Sequence, residues 1–167
     1  NCTALLRKDR PDPVLAMLTR SSLNPRRVLE VGSSFGRRLE EIRKRYGAYC
    51  FGVEPSRSAI AFGRRHYPQV VFRRGLMHKL PVKRHELFNL VIVSFVFHWV
   101  DRALLLRAVA EVDRVLREDG FLLIADFLPA KPTQTPYHHL KNERVFTYKQ
   151  DYAALFTASE KRRPLSE

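Results

Sequence analysis

The sequence predicts an α/β protein, a three-layer α/β/α sandwich in which helices cover both faces of a mostly parallel sheet. Three observations carry the prediction. Short apolar, β-branched runs alternate with stretches of helical period across residues 25–128, the order that produces parallel strands joined by crossover helices. The strand runs are apolar at successive positions instead of every second one, as in strands covered on both faces. The chain has 167 residues, a length suited to one domain with a sizeable core.

The elements follow in order. Pro13 to Leu23 has the spacing of an amphipathic helix within an N-terminal segment, residues 1–24. Val28-Leu29-Glu30-Val31 reads as a buried strand closed by Gly32. In Arg37 to Tyr46 the apolar positions Leu39, Ile42 and Tyr46 form one helical stripe, and Gly47 is its stop. Tyr49 to Val53 is a second strand. Ser56 is placed to cap a helix that runs to Tyr67, where Pro68 prevents continuation. Val70 to Arg73 makes a third strand nearer an edge, and Gly75 to Leu87, without a sustained period, is a connecting loop.

Leu90 to Phe97 is the most apolar run and predicts a central strand. Asp101 caps the next helix, with its stripe at Leu105, Val109, Val112 and Leu116 and its end at Asp119-Gly120. Phe121 to Phe127 is a fifth strand. In the last segment, residues 129–167, a polar linker at Lys131 to Pro136 precedes an aromatic-rich stretch whose best strand candidate is Val145 to Lys149. Tyr148, Tyr152 and Phe156 step by four, as one face of a helix or as a substrate cover.

The formal charge of +13, from 30 Lys+Arg against 17 Asp+Glu, raises a nucleic-acid reading. The excess lies in the first half of the chain, up to Arg84, and comes as scattered doublets and one triplet, the spacing of solvated helix faces and not of a basic tail. Cys2 and Cys50 are far apart, so neither a redox motif nor a zinc ribbon is available, and a reduced, cytoplasmic setting is the expectation. The longest apolar stretch, Leu90 to Val100, is interrupted by Ser94 and His98 and falls short of the roughly 20 residues of a membrane span. Adjacent His138 and His139 would point opposite ways on an extended chain, so no metal site is expected.

Ligands of open α/β sheets bind beyond the carboxyl ends of the strands. There the sequence offers Gly32 to Gly36, Glu54, Gly75-Leu76-Met77 and Ser94-Phe95. Gly32 and Gly36 allow a tight turn near a ligand, and Glu54 can accept hydrogen bonds from two ribose hydroxyls, which points to a nucleoside-bearing cofactor. The dinucleotide fingerprint needs a small residue at position 37, where Arg37 stands, and no phosphate-binding G-x-x-x-x-G-K-[ST] loop occurs.

Val28 to Gly36 resembles the first motif of the class I S-adenosylmethionine-dependent methyltransferases, and three more motifs follow in order. Gly52-Val53-Glu54-Pro55-Ser56 resembles the family's ribose-binding strand end, Phe88 to Ser94 its fourth motif, and Arg114 to Phe121 the helix end and turn before the fifth strand. The short connection through Leu80-Pro81 is similar to the type 11, small-molecule branch.

The resemblance implies a Rossmann-like sheet, here with few residues for its usual C-terminal strands, and an S-adenosylmethionine cofactor released as S-adenosylhomocysteine. It implies that Glu30 orients the loop or reaches the methionine amino group, that Gly32, Ser33, Ser34 and Gly36 lie along the cofactor, and that Glu54 and Pro55 meet the ribose. Leu76 and Met77 would flank the adenine, with Ser94 and Phe95 giving backbone contacts. Ser34 replaces the motif's middle glycine, and Leu76 replaces an aspartate that would bind the adenine amine. For the acceptor side the candidates are His98 as a general base, with Trp99, Tyr137, His138, His139 and Tyr148 as substrate contacts. The expected activity is methyl transfer to a small-molecule or glycan-like acceptor, the charge favouring an anionic one. An RNA or other nucleic-acid methyltransferase and a noncatalytic scaffold of the same fold are the alternatives.

Overall fold

The computed structural model describes residues 11–137 and 145–157. Helix α1 (Pro13–Arg20) starts at Asp12, whose carboxylate accepts the Val14 and Leu15 amides. β1 (Arg27–Val31) leads into α2 (Arg37–Tyr46), stopped by Gly47 at φ +64°; β2 (Tyr49–Glu54) leads into α3 (Arg57–His66), capped by the Ser56 hydroxyl; and β3 (Val71–Arg74) follows. After the loop come β4 (Phe88–Ser94), two 3-10 turns (Phe97–Trp99 and Arg102–Leu104), α4 (Leu105–Val115) and β5 (Leu116–Ala125).

The five strands form one sheet in the order β3-β2-β1-β4-β5, parallel throughout. Alternate residues of each strand serve opposite layers. Val28, Cys50, Leu90 and Ile92 pack with Val14 and Leu18 of α1, Leu39 and Ile42 of α2 and Ile60 of α3. Leu29, Val31, Phe51, Val53, Val91 and Val93 pack with Leu105, Ala108, Val112 and Val115 of α4. The sandwich is therefore three-layered, with α1 to α3 on one face and α4 on the other. Strand order reverses between β1 and β4, which opens a crevice at their carboxyl ends.

Several expectations are corrected. The middle strand is β1, with β4 beside it. β4 stops at Ser94 because Phe95 turns into a left-handed conformation, φ +55°, and Phe97 belongs to a 3-10 turn. Asp101 caps the second 3-10 turn through the Ala103 amide, one turn ahead of α4. α4 ends at Val115, not at Asp119-Gly120, since Leu116 already pairs with Phe88; the register then shifts before Leu90 meets Phe121. The polar stretch expected to be a linker contains β6 (Thr133–Pro136), which forms an antiparallel hairpin with β7 (Phe146–Lys149) as a separate sheet. Tyr148 lies in β7 and Phe156 in the short helix α5 (Ala154–Thr157), so the four-residue steps are not one helix face.

Candidate functional site

The crevice is shaped first by the loop after β1. Gly32 sits at φ +72°, and a side chain there would meet the Val96 methyl at 2.3 Å. Gly36 sits at φ +82° and starts α2 with the Phe72 ring against it; a Cβ would lie 2.4 Å from Phe72 Cζ. Both positions combine a positive φ with a close approach, so each requires glycine. Ser34 also takes a positive φ, +50°. Its strained turn is held by the Ser34 amide, which donates to Glu54 Oε2 at 2.9 Å.

Glu54 is the hub of the arrangement. Its other oxygen, Oε1, accepts the Ser56 amide at 3.0 Å, while the Gly32 and Ser33 amides donate to the Val53 carbonyl at 2.8 and 3.1 Å. A carboxylate has about four acceptor directions. Two are used by these amides, and two remain on a side chain that lines the crevice.

The crevice itself is a cavity of about 490 Å³, within the range of small-molecule sites. Its wall brings together Val31 and Gly32 from β1, Val53, Glu54 and Pro55 from β2, Gly75 to His78 after β3, and Ser94 to Val96 after β4. Trp99, Val100, Asp101 and Leu104 close the far end. Of the residues expected at a cofactor, Gly32, Glu54, Pro55, Leu76, Met77, Ser94 and Phe95 are on this wall. Ser33 is buried, its hydroxyl without a hydrogen-bond partner among the described residues, and Ser34 and Gly36 shape the loop from outside the cavity. Val96, Val100 and Leu104, absent from the sequence-based candidates, line it as well.

Glu30 faces the other layer. One carboxylate oxygen accepts from Arg38 Nη1, Arg38 Nε donates to Asp12 at 2.8 Å, and the remaining Glu30 oxygen is buried without a partner among the described residues. The triad ties the start of α1 to the start of α2 behind the loop. Burial pushes the Glu30 carboxyl up to about 7, against the lowering pull of the Arg38 guanidinium. A carboxyl whose pKa is raised on folding is protonated in both states below the unfolded value of 4.5, so its stabilising contribution is complete there and is lost as pH rises to about 7. Urea unfolding of wild type and Glu30→Gln checks this: the wild-type stability is expected to fall relative to the variant by roughly 3 kcal/mol between about pH 4.5 and 8. A pH-independent difference would show that Arg38 keeps Glu30 ionised throughout.

His98 is buried beside Trp99, at the end of the cavity that Trp99, Val100 and Leu104 line, and is not itself on the cavity wall. Its Nδ1 lies 2.8 Å from Asp126 Oδ1, its amide donates to Asp126 Oδ2 at 3.3 Å, and the Phe127 amide donates to Oδ1 at 2.8 Å. Asp126, which carries no signal of this role in the sequence, thus clasps the turn after β4 to the end of β5. Around His98 stand Phe127, Trp99 and Phe95, with ring centroids at 5.0, 5.1 and 6.3 Å. Tyr137 meets Trp99 edge-on at 4.7 Å, and Tyr148 lies under the Arg102 guanidinium. His138 and His139 lie outside the described residues.

A doubly wound parallel sheet with a crevice at its switch point, and a carboxylate at the end of β2 with acceptor directions to spare, define the chain as a doubly wound α/β protein with a ligand-sized crevice. Residues 29–124 match a family model described as a methyltransferase domain, and the chain belongs to that family. Uncharacterized methyltransferases of Mycobacterium bovis and Mycobacterium tuberculosis are each 34% identical over 97 residues, which is 58% of this chain. The matched region covers 38% of the length of those curated relatives. Among solved structures, an S-adenosylmethionine-dependent methyltransferase of Mesorhizobium loti superposes with a TM-score of 0.65 at 18% identity, covering 87% of this chain and 76% of that one. An amino pentose methyltransferase of Micromonospora echinaspora, solved with S-adenosylmethionine bound, gives 0.60 at 21% identity, covering 74% and 54%. These two likenesses are likenesses of fold.

Proposed function

We propose that the chain binds S-adenosylmethionine in the 490 Å³ crevice and directs its methyl group to a small-molecule or glycan-like acceptor. The observation that carries this reading is Glu54: a carboxylate on the cavity wall, fixed by two backbone amides, with two acceptor directions left for a pair of vicinal hydroxyls. The remaining wall suits the rest of the cofactor. Pro55, Leu76, Met77 and Phe95 would give apolar faces to the nucleobase, while Val31 and Gly32 would offer backbone to the methionine portion of the cofactor. Leu76 accepts no hydrogen bond through its side chain, so an adenine amine must find backbone or water, or lose about 1 to 3 kcal/mol.

The bound cofactor supplies an activated methyl group, so this chain has alignment and desolvation to provide and little covalent work. Trp99, Val100 and Leu104 give an apolar floor at the end where an acceptor would enter. The half-exposed Trp99 ring, in contact with His98 and Tyr137, would also favour a cationic centre placed against it, worth roughly 0.5 to 2 kcal/mol. Asp101, on the same wall, is the carboxylate we assign as a proton acceptor for a hydroxyl or amine, with one oxygen engaged by the Ala103 amide. His98 supports that floor from beneath and is not assigned the proton transfer.

Trp99 is the sole tryptophan of the sequence and lies on the cavity wall. Titration with S-adenosylhomocysteine is therefore expected to change its emission saturably, with a dissociation constant on the order of micromolar. Unchanged emission together with no heat of binding would reject the reading. The basic excess keeps one competitor in view: an RNA acceptor would show an affinity that falls steeply with salt as counterions are released, and a flat salt response would exclude it.

A further inference from the structure

Beside the crevice lies a second cavity of about 500 Å³, outside the turn that follows β3. The two share Pro55, Gly75, Leu76 and His78. We propose that this second cavity is an anion site that takes the phosphate monoester or diphosphate group of a small molecule. It goes beyond the methyl-transfer reading and does not depend on it.

Arg74, His78 and Lys79 all line the cavity, and no carboxylate does among the described residues. Several bases pair with carboxylates: Arg38 with Glu30 and Asp12, Arg43 with Glu40, Arg73 with Glu86, Arg114 with Glu111. Arg74, like Arg27 and Arg64, instead donates to a backbone carbonyl, from Nε to Pro55 at 3.0 Å. That bond orients the guanidinium while its terminal nitrogens have no acceptor among the described residues. A guanidinium fixed in this way presents the fork that suits phosphate oxygens.

The scaffold beneath these bases is rigid. The Lys79 amide donates to the Leu76 carbonyl at 3.0 Å, closing a tight turn that puts His78 and Lys79 on one short loop. Pro81 packs against Gly75 closely enough that a Cβ on Gly75 would lie 2.5 Å from Pro81 Cδ. Three basic groups on a fixed turn and strand end, around a space bounded by Leu80 and Pro81, fit a compact anion better than an extended polyanion. The cavity shares no wall with Trp99 or Leu104, so the anion it takes is not at the methyl-accepting end.

The test is titration of the full chain with inorganic phosphate and with pyrophosphate, without any adenosyl ligand, read by calorimetry and by the proton resonances of the His78 ring. Saturable binding with one site is expected, pyrophosphate tighter than phosphate, and at least tenfold weaker in Lys79→Ala and in Arg74→Lys, which keeps charge but loses the fork. Lys79→Ala removes a side chain without a partner among the described residues, so its unfolding midpoint should equal that of wild type, and it keeps the test valid if an Arg74 variant folds poorly. Absence of saturation, or equal affinity in wild type and Lys79→Ala, overturns the proposal. Because no adenosyl ligand is present, failure here leaves the S-adenosylhomocysteine result to be judged separately.

Discussion

Glu54→Ala is expected to weaken S-adenosylhomocysteine binding at least 30-fold, by calorimetry, and to lower the stability of the unliganded protein as well. Both effects come from one carboxylate. With its two free acceptor directions it would hold a pair of ribose hydroxyls, and hydrogen bonds to a charged group contribute about 1.5 to 3 kcal/mol each. Its occupied directions hold the Ser34 and Ser56 amides. Removing the carboxylate frees Ser34 from a φ of +50°, a conformation that costs an L-residue about 1 to 2 kcal/mol, so the loop after β1 should relax away from the cofactor position. Glu54→Gln separates the two roles. Its amide oxygen can still accept one backbone bond, so it should lose less stability than alanine while losing most of the affinity. Equal affinity in wild type and both variants would remove Glu54 from the site.

Asp126→Ala is expected to lower the unfolding free energy by about 2 to 4 kcal/mol, measured by urea denaturation. The carboxylate is buried, and its loss leaves the His98 ring nitrogen and the His98 and Phe127 amides without their partner. Each buried group left unsatisfied costs about 1 to 3 kcal/mol, reduced where water can enter. Asp126→Asn keeps an oxygen for the amides and should cost roughly half as much. Because Trp99 and Phe127 pack on the His98 ring, the alanine variant should also shift Trp99 emission in the unliganded protein. A variant as stable as wild type would mean that the clasp contributes nothing to the acceptor-side wall.

The parts of this molecule that are legible in the sequence are those decided locally. The strands and helices from Pro13 to His66 follow from apolar period, from Ser56 as a cap and from Gly47 as a stop, each a signal within a few residues. Gly32 and Glu54 are legible because a positive-φ turn and a strand-end carboxylate leave marks of residue type and spacing. What the sequence hides depends on distant parts meeting. Asp126 has no local signal of its role; its partner His98 is 28 residues away and the two meet only because β4 and β5 are neighbours. β6 is hidden because all four of its residues are exposed, which removes the alternation that marks a strand, and because Pro136 ends it. The end of α4 is masked because Asp119-Gly120 is a strong stop signal, yet pairing of Leu116 with Phe88 draws the chain into the sheet earlier. For Glu30 the motif leaves two roles open, orienting the loop or reaching the ligand; alternation along β1 directs its side chain to the α1–α2 layer and to Arg38, behind the loop, which only the packing of those helices could reveal.

The net charge of +13 also takes on local meaning. Much of the basic excess is matched or solvated on helix surfaces, and the unmatched group with a cavity behind it is Arg74, His78 and Lys79. A single measurement bears most directly on the central claim, that the crevice at the ends of β1, β2 and β4 is a nucleoside site: calorimetric titration of the full chain with S-adenosylhomocysteine, with adenosine as competitor. The account predicts one site per chain, a dissociation constant on the order of micromolar, and competition by adenosine that Glu54→Gln weakens. No binding at about 1 mM in a protein that still unfolds cooperatively would contradict it.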